Sequence, residues 1–372
     1  MTIRVTVMEE NLRPGFERLL IEAWGQTWSA DYAVDLIRWR YYERAALGQT
    51  WVAIDGTSCV AILDSYLRPY LLNGSRVLVR EPCDWFCLPE YRPRGVGVLL
   101  MKRLMDCDEP MLSIGGTPPT LAILPRLRWT RLPEVTKLVL PLRVRDFAAT
   151  ALRKWWPAQE PLARLVPGKI PYRWPKRPIR PHEAAHVVEW TPGTPLPVLR
   201  GAQDGLVELI EQADADWIAG MPRWLAQAVG LVFFLGEEPV GFTLSQIEPS
   251  AAGLDACLVH VQLSDHAQPL VNWIIAETAS NLAARGVGII RCLASSPSKI
   301  AALEMAGFFR TTPRPSYWWQ RDREPAPTQL DAGYLRADDA VPLAALRGRH
   351  LGAPPARAGR ADRSAASTSR PR

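Results

Sequence analysis

Hydrophobic and polar positions along this chain change period several times, and the switches mark out its elements. Residues 3–8 read as a strand and the run near 16–24 as a helix. Around Ile54-Asp55-Gly56-Thr57-Ser58-Cys59-Val60-Ala61 the pattern is a strand, a tight turn and a returning strand. Residues 84–88 read as a strand that stops at Pro89, and 98–105 as a helix. Between them lies Arg92-Pro93-Arg94-Gly95-Val96-Gly97, a turn with two closely spaced glycines.

The pattern occurs twice. Gly56, Val60 and Ala61 recur as Gly236, Val240 and Gly241, each 180 residues on, again within strand, turn and strand. Upstream, Arg38-Trp39 matches Arg223-Trp224 at a shift of 185. Downstream, Pro118, Trp129 and Pro133 match Pro297, Phe308 and Pro313 at shifts of 179, 179 and 180. Two copies of one fold are expected.

A strand that turns through glycines into a helix leaves backbone N–H groups facing outward, with the positive end of the helix dipole behind them. Such a turn cradles phosphate, because Gly95 and Gly97 have no Cβ to hold a pyrophosphate away. No Lys-Ser/Thr follows the glycines, which excludes a P-loop, and the six-residue dinucleotide fingerprint with its downstream acid is absent. The stretch Leu88-Pro89-Glu90-Tyr91-Arg92-Pro93-Arg94-Gly95-Val96-Gly97-Val98 resembles the acyl-CoA loop of the GNAT N-acetyltransferase superfamily, Arg/Gln-x-x-Gly-x-Gly/Ala after a strand. In the second copy, Ser296-Pro297-Ser298-Lys299-Ile300-Ala301-Ala302-Leu303-Glu304-Met305-Ala306-Gly307-Phe308 resembles the late signature of that superfamily, a helix ending in Gly-Phe.

The resemblance implies an α/β fold of two GNAT-like domains, each a mixed, mostly antiparallel sheet flanked by helices. It implies acetyl-CoA or another acyl-CoA as co-substrate, held by Leu88, Arg92, Pro93, Arg94, Gly95, Val96, Gly97 and Val98. Thr117 takes the place of an Asn that faces the pantetheine arm, and helix N-capping explains it equally well. A shift of 179 sets Val271, Ile274 and Ala276 where Arg92, Gly95 and Gly97 stand, and a β-branched residue in the loop blocks close backbone approach. The second copy is therefore expected to be degenerate. The boundaries follow as 1–148 for the acyl-CoA-binding domain, 149–181 for a strap, 182–322 for the degenerate copy and 323–372 for a largely disordered tail.

The resemblance also implies direct transfer of an acyl group to an amine through a tetrahedral intermediate. The amine must lose a proton, and Glu81 and Asp84 are the candidate bases, with Glu90 turned to solvent. The tyrosine that often protonates the leaving thiolate is missing, because its position falls on Leu124. Either Tyr66 or Tyr70 takes its place, or the thiolate, with a pKa of about 8.5, leaves unaided. The expected acceptor is a primary amine of a small molecule such as an amino sugar. Trp39, Tyr41, Tyr42 and Trp51 are candidates to stack on a sugar face, against their commoner place in a core. The rival reading is a noncatalytic acyl-CoA-binding or scaffold protein.

Composition narrows this little further. A chain of 372 residues with 48% hydrophobic content builds two cores, and a net charge of +6 without a nucleic-acid motif gives no nucleic-acid partner. Six cysteines without C-x-x-C spacing read as buried thiols. No apolar run is long enough for a bilayer span, and neither stable membrane insertion nor a leader is expected, which places the protein in the cytoplasm. The strap holds Trp155-Trp156-Pro157 and Trp174-Pro175-Lys176-Arg177-Pro178, suited to packing across both domains, with a membrane surface or the CoA 3′-phosphate as other partners. His182-Glu183-Ala184-Ala185-His186 satisfies the zinc pattern H-E-x-x-H, with Glu208 or Glu211 as a third ligand. It runs into a strand, however, where at about 3.3 Å per residue the histidines stand too far apart for one ion, and no metal is expected.

Overall fold

The structure is a computed structural model that describes residues 3–24, 30–44, 47–145, 184–199, 204–250, 253–322 and 325–333, with positions 148, 152 and 181. Most of the strap, the His182-Glu183 pair and everything after 333 lie outside the described residues.

The N-terminal half runs β1 (Ile3–Val7), α1 (Arg13–Trp24), α2 (Ala30–Ile37), β2 (Gly48–Asp55), β3 (Ser58–Leu72), β4 (Ser75–Cys87), α3 (Val96–Leu104), β5 (Met111–Ile114), α4 (Pro118–Ile123) and β6 (Thr130–Pro141). The C-terminal half follows with β7 (Ala185–Trp190), a short β8 (Leu206–Glu208), α5 (Gln212–Ala219), β9 (Gln227–Leu235), β10 (Glu238–Ser250), β11 (Gly253–Leu263), α6 (Val271–Ala284), β12 (Val287–Ala294), α7 (Pro297–Met305), β13 (Phe309–Trp319) and a short β14 (Leu330–Asp331). With β8 and β14 set aside, the strands of the second half repeat those of the first in order, as the sequence repeat anticipates. Gly56 and Gly236 make the two hairpin turns at φ 62° and 64°, a conformation that costs glycine nothing. Helix α3 buries Val96, Leu100, Met101 and Leu104, an i, i+4, i+5, i+8 stripe, and carries Lys102 and Arg103 in its last turn, where they complement the dipole.

One sheet joins both halves in the order β1-β2-β3-β4-β5-β13-β6-β12-β11-β10-β9-β7. The pairs β4·β5 and β11·β12 are parallel, while β1·β2, β2·β3, β3·β4, β9·β10, β10·β11 and β7·β9 are antiparallel. This is the mixed, mostly antiparallel α/β architecture expected. The last strands of the two halves change places. β13 runs antiparallel along β5 from Ser316↔Ile114 to Trp319↔Met111, and β6 runs along β12 from Ile289↔Pro141 to Ala294↔Thr136. β6 and β13 also pair with each other. Each half of the sheet is thus completed by a strand from the other, and the pairing crosses the sequence boundary at 148. β8 extends the far end of β3, with Tyr70 opposite Glu208, and β14 pairs in parallel with β8.

One apolar core lies between the halves. It brings Leu36, Trp39, Tyr66 and Tyr70 against Trp190, Trp217, Ile218 and Phe242. A second, under α3, holds Val60, Leu63, Leu100, Leu124, Trp129 and Tyr317. Trp39 stacks on Trp217, 178 residues away, with ring centroids 4.6 Å apart and 6° between planes.

The helices of the two halves align differently from the sequence match. α3 starts at Val96 and α6 at Val271, a shift of 175, so Ile274 lies inside α6 and is fully buried. It faces Gly241, where an added Cβ would stand 2.7 Å from its Cδ1. The place of the loop is taken instead by the 3-10 turn Asp265–Leu270, which holds Pro269 and no glycine. Near the other chain end, within the segment assigned to the tail, Leu330 and Ala332 are buried.

Candidate functional site

The stretch between β4 and α3 has the cradle geometry. Pro89–Tyr91 form a 3-10 turn, and Gly95 then takes φ 71°, ψ 19° to start α3 without a side-chain cap. Its missing Cβ would meet nothing within 4 Å, so the backbone here borders open space. A Cβ on Gly97 would instead stand 3.2 Å from Trp85 Nε1. That indole donates to Gly97 O at 3.0 Å and ties β4 to the first turn of α3.

Arg92, Pro93 and Arg94 are exposed. Arg92 donates through Nε to Cys87 O at 2.9 Å, and Arg94 pairs with Asp55 at 3.6 Å, where Tyr91 also donates at 3.1 Å. These bonds brace the turn from both sides. Leu88 donates its N–H to Val60 O at 3.0 Å, which fixes the strand end. Val96 is buried and Val98 half-buried.

β4 and β5 pair at Arg80↔Met111 only, and then part. On the far lip, Thr117 caps α4, its Oγ1 accepting from Thr120 N at 3.5 Å. The capping explanation for Thr117 therefore holds in this structure. The exchanged strand positions this lip, because Gly115 N–H donates to Pro315 O at 2.7 Å.

The candidate bases sit along β4, around a bulge. The β3–β4 register passes from Ile62↔Phe86 to Asp64↔Cys83, and Asp84 in the bulge takes φ 44°. The extra residue inverts the alternation of the strand. Val79 and Cys83 face the core between the halves, Phe86 faces α1, and Trp85 and Cys87 face α3.

Asp84 Oδ2 accepts from Arg40 Nε at 2.8 Å, Arg40 Nη2 at 2.6 Å and Tyr41 OH at 2.6 Å. Arg40 is fully buried. Burial by itself lowers its pKa, but Asp84 acting together with Tyr66, Tyr41 and Cys83 outweighs that and holds it well above the ordinary value. Burial, with Asp84 adding to it, keeps the Tyr41 hydroxyl protonated to well above its usual range. A second pair lies beside the first. Arg44 binds Asp64, which also accepts from Thr50 Oγ1 at 2.8 Å, and burial raises the Asp64 pKa against the pull of Arg44.

Glu81 is 2% exposed and accepts from Tyr70 OH at 2.5 Å. Arg68, fully buried, pairs with Asp214 of the other half. Of the two tyrosines considered as acids, Tyr66 is fully buried with its pKa raised by that burial, and Tyr70 is bound to Glu81.

The sequence reading did not find Arg40, Arg44, Asp64, Arg68 or Asp214. The local signal was a pair of charged residues, Asp64 and Arg68, inside a largely apolar strand. Donor atoms of Asp64, Cys83 and Asp84 lie within 4.8 Å of one another. Arg40 and Arg44 already neutralise both carboxylates, and a cation would have to displace them. His186 lies in β7, stacked on Phe234 at 5.1 Å, while Glu208 binds Gly333 N–H and Glu211 binds Arg76, each 2.7 Å away. Trp39 and Tyr41, considered for stacking on a sugar, are buried in cores.

No protein-family profile matches the sequence, and no curated protein matches it. Solved structures do share its fold. A GCN5-related N-acetyltransferase from Anabaena variabilis superposes with a TM-score of 0.56 at 10% identity, covering 85% of this chain and 72% of that one. A conserved protein of unknown function from Enterococcus faecalis, described as a probable N-acyltransferase, gives 0.52 at 11% identity over 85% and 72%. N-myristoyltransferase of Saccharomyces cerevisiae, solved with bound myristoyl-CoA and inhibitors, gives 0.50 at 10% identity over 85% and 80%. At such identities the likeness is one of fold.

Proposed function

We propose that this protein is an acyl-CoA-dependent N-acyltransferase that uses its N-terminal half to hold the thioester and passes an acetyl group to a primary amine of a small molecule, such as an amino sugar. The observation that carries the reading is the uncapped start of α3 at Gly95, open to space beside two parting strands. Those features fit a pyrophosphate on the backbone N–H groups, with the exposed Arg92 and Arg94 beside it and an extended arm between β4 and β5. Fold neighbours described as an N-acetyltransferase and as an N-myristoyltransferase with bound myristoyl-CoA support the same reading.

In the reaction, the amine nitrogen attacks the thioester carbonyl, a C–N bond forms, the C–S bond breaks and the sulfur leaves as thiolate. One amine proton must be taken up, and Glu81 and Asp84 are the carboxylates assigned to it. Tyr70 and Tyr41 hold them in place. We assign the C-terminal half to shaping the acceptor side through the core around Trp217, not to acyl-CoA binding.

That both carboxylates already have buried partners favours a second reading, a noncatalytic acyl-CoA-binding protein. Thiol release from acetyl-CoA across a panel of amines separates the two. Release that depends on an amine and is lost in Glu81→Gln supports the enzyme. Saturable acyl-CoA binding with no thiol release for any amine supports the second reading.

A further inference from the structure

The C-terminal half has the same parting strands, and they are not open. β11 and β12 pair from Leu254↔Val287 to Leu258↔Cys292 and then separate at Val259 and Leu293. Gly333 lies in this wedge. A Cβ built on it would stand 3.2 Å from Val259 O on one strand and 3.7 Å from Leu293 O on the other.

The residues before it are fastened on every side. Ser295 Oγ donates to Leu330 O at 2.6 Å and accepts from Ala332 N–H at 2.9 Å. Gly333 N–H donates to Glu208 Oε2 at 2.7 Å. Lys299 Nζ reaches Asp331 at 2.8 Å and Val261 O at 2.9 Å, so one ammonium clamps the segment to β11. Leu330 and Ala332 are 4% and 2% exposed. What remains beside them, between His260, Cys292 and Asp331, is a cavity of about 20 Å³, room for one water.

We propose that residues 330–333 are a built-in occupant of the second wedge. An extended backbone with its own amide groups fills the space that an extended amide-containing arm would need, and the C-terminal half is closed to acyl-CoA by its own chain. On this proposal the second copy is degenerate for a reason other than the isoleucine suggested by sequence, since Ile274 lies inside a helix. The ladder β14·β8·β3 connects the occupant to the first half, ending at Tyr70, whose hydroxyl holds Glu81. That acyl-CoA binds once per chain rests on the function proposed above. That the wedge is filled does not.

The test is amide hydrogen exchange on the full chain, wild type and Ser295→Ala/Lys299→Ala, with acetyl-CoA titrated into both. In the wild type, the amides of Ala332 and Gly333 should exchange at least about a hundredfold more slowly than in an unstructured peptide. In the double variant that protection should fall about tenfold or more, while the amides of β3 and β4 keep theirs. Gly333→Val, which drives a side chain into Val259 O, should lower it in the same way. Fast exchange at 332–333 in the wild type, or two acetyl-CoA molecules per wild-type chain, would overturn the proposal. If no acetyl-CoA binds at all, the acyltransferase reading fails, and the exchange data still decide whether the wedge is filled.

Discussion

Trp39 and Trp217 hold each other reciprocally. Trp39 Nε1 donates to Trp217 O at 2.8 Å, Trp217 Nε1 donates to Trp39 O at 3.1 Å, and the indoles lie face to face. Each half thus caps the other with the same residue making the same bond. Both residues belong to the apolar core between the halves.

Truncating either tryptophan should therefore cost about 3–5 kcal/mol, from lost burial and an unpaired carbonyl. Because each loses the same partner, Trp39→Ala/Trp217→Ala should cost less than the sum of the single variants. Denaturant unfolding of the three variants measures this, and strict additivity would mean the two act independently.

The Arg40–Asp84 pair makes a different forecast. Asp84→Leu alone takes the carboxylate away from a buried guanidinium and should cost about 3–5 kcal/mol. Arg40→Met/Asp84→Leu removes both charges and should regain most of that stability, while any acyl transfer that needs the Asp84 carboxylate stays lost. The two readouts, melting and turnover, separate a structural ion pair from a chemical one.

Cys292 gives a pH dependence. Burial pushes its thiol from an ordinary 9.0 up to about 12, with Lys299 pulling the other way. The folded pKa is the higher one, so this stabilisation is fully present below pH 9 and is lost as pH rises towards 12. At pH 10.5 the loss is about 2 kcal/mol, at about 1.4 kcal/mol per unit. Between pH 8 and 10.5, Cys292→Ala should lose about that much less stability than the wild type in denaturant titrations. Equal losses would place the thiol in water.

What could be read from the sequence was what is local in the chain. Pro89, Arg92, Gly95 and Gly97 lie within nine residues, and a glycine at φ 71° before a helix announces itself by composition. The hairpins at Gly56 and Gly236 were legible for the same reason. The strand exchange was not, because alternation shows that β6 and β13 are strands and says nothing of which neighbour each chooses. Nor was the buried charge network. Asp64 stands on β3, Asp84 on β4 and the arginines that bind them, Arg44 and Arg40, lie between α2 and β2, and only the fold brings each pair within hydrogen-bond reach. The contact of Trp39 with Trp217 was not legible either, because a repeat match relates equivalent positions and says nothing of which residues touch.

The claim on which the rest depends is that the N-terminal loop holds acyl-CoA. Calorimetric titration of acetyl-CoA into the wild type, Arg92→Ala and Gly95→Val tests it directly. A Cβ at Gly95 meets nothing within 4 Å in the protein, so the variant bears the backbone strain of a positive φ, about 1–2 kcal/mol, and should remain folded. The account predicts one site per chain, weakened at least about tenfold by Gly95→Val and made less salt-dependent by Arg92→Ala. Binding that is unchanged in a folded Gly95→Val protein, or no binding in the wild type, would contradict it.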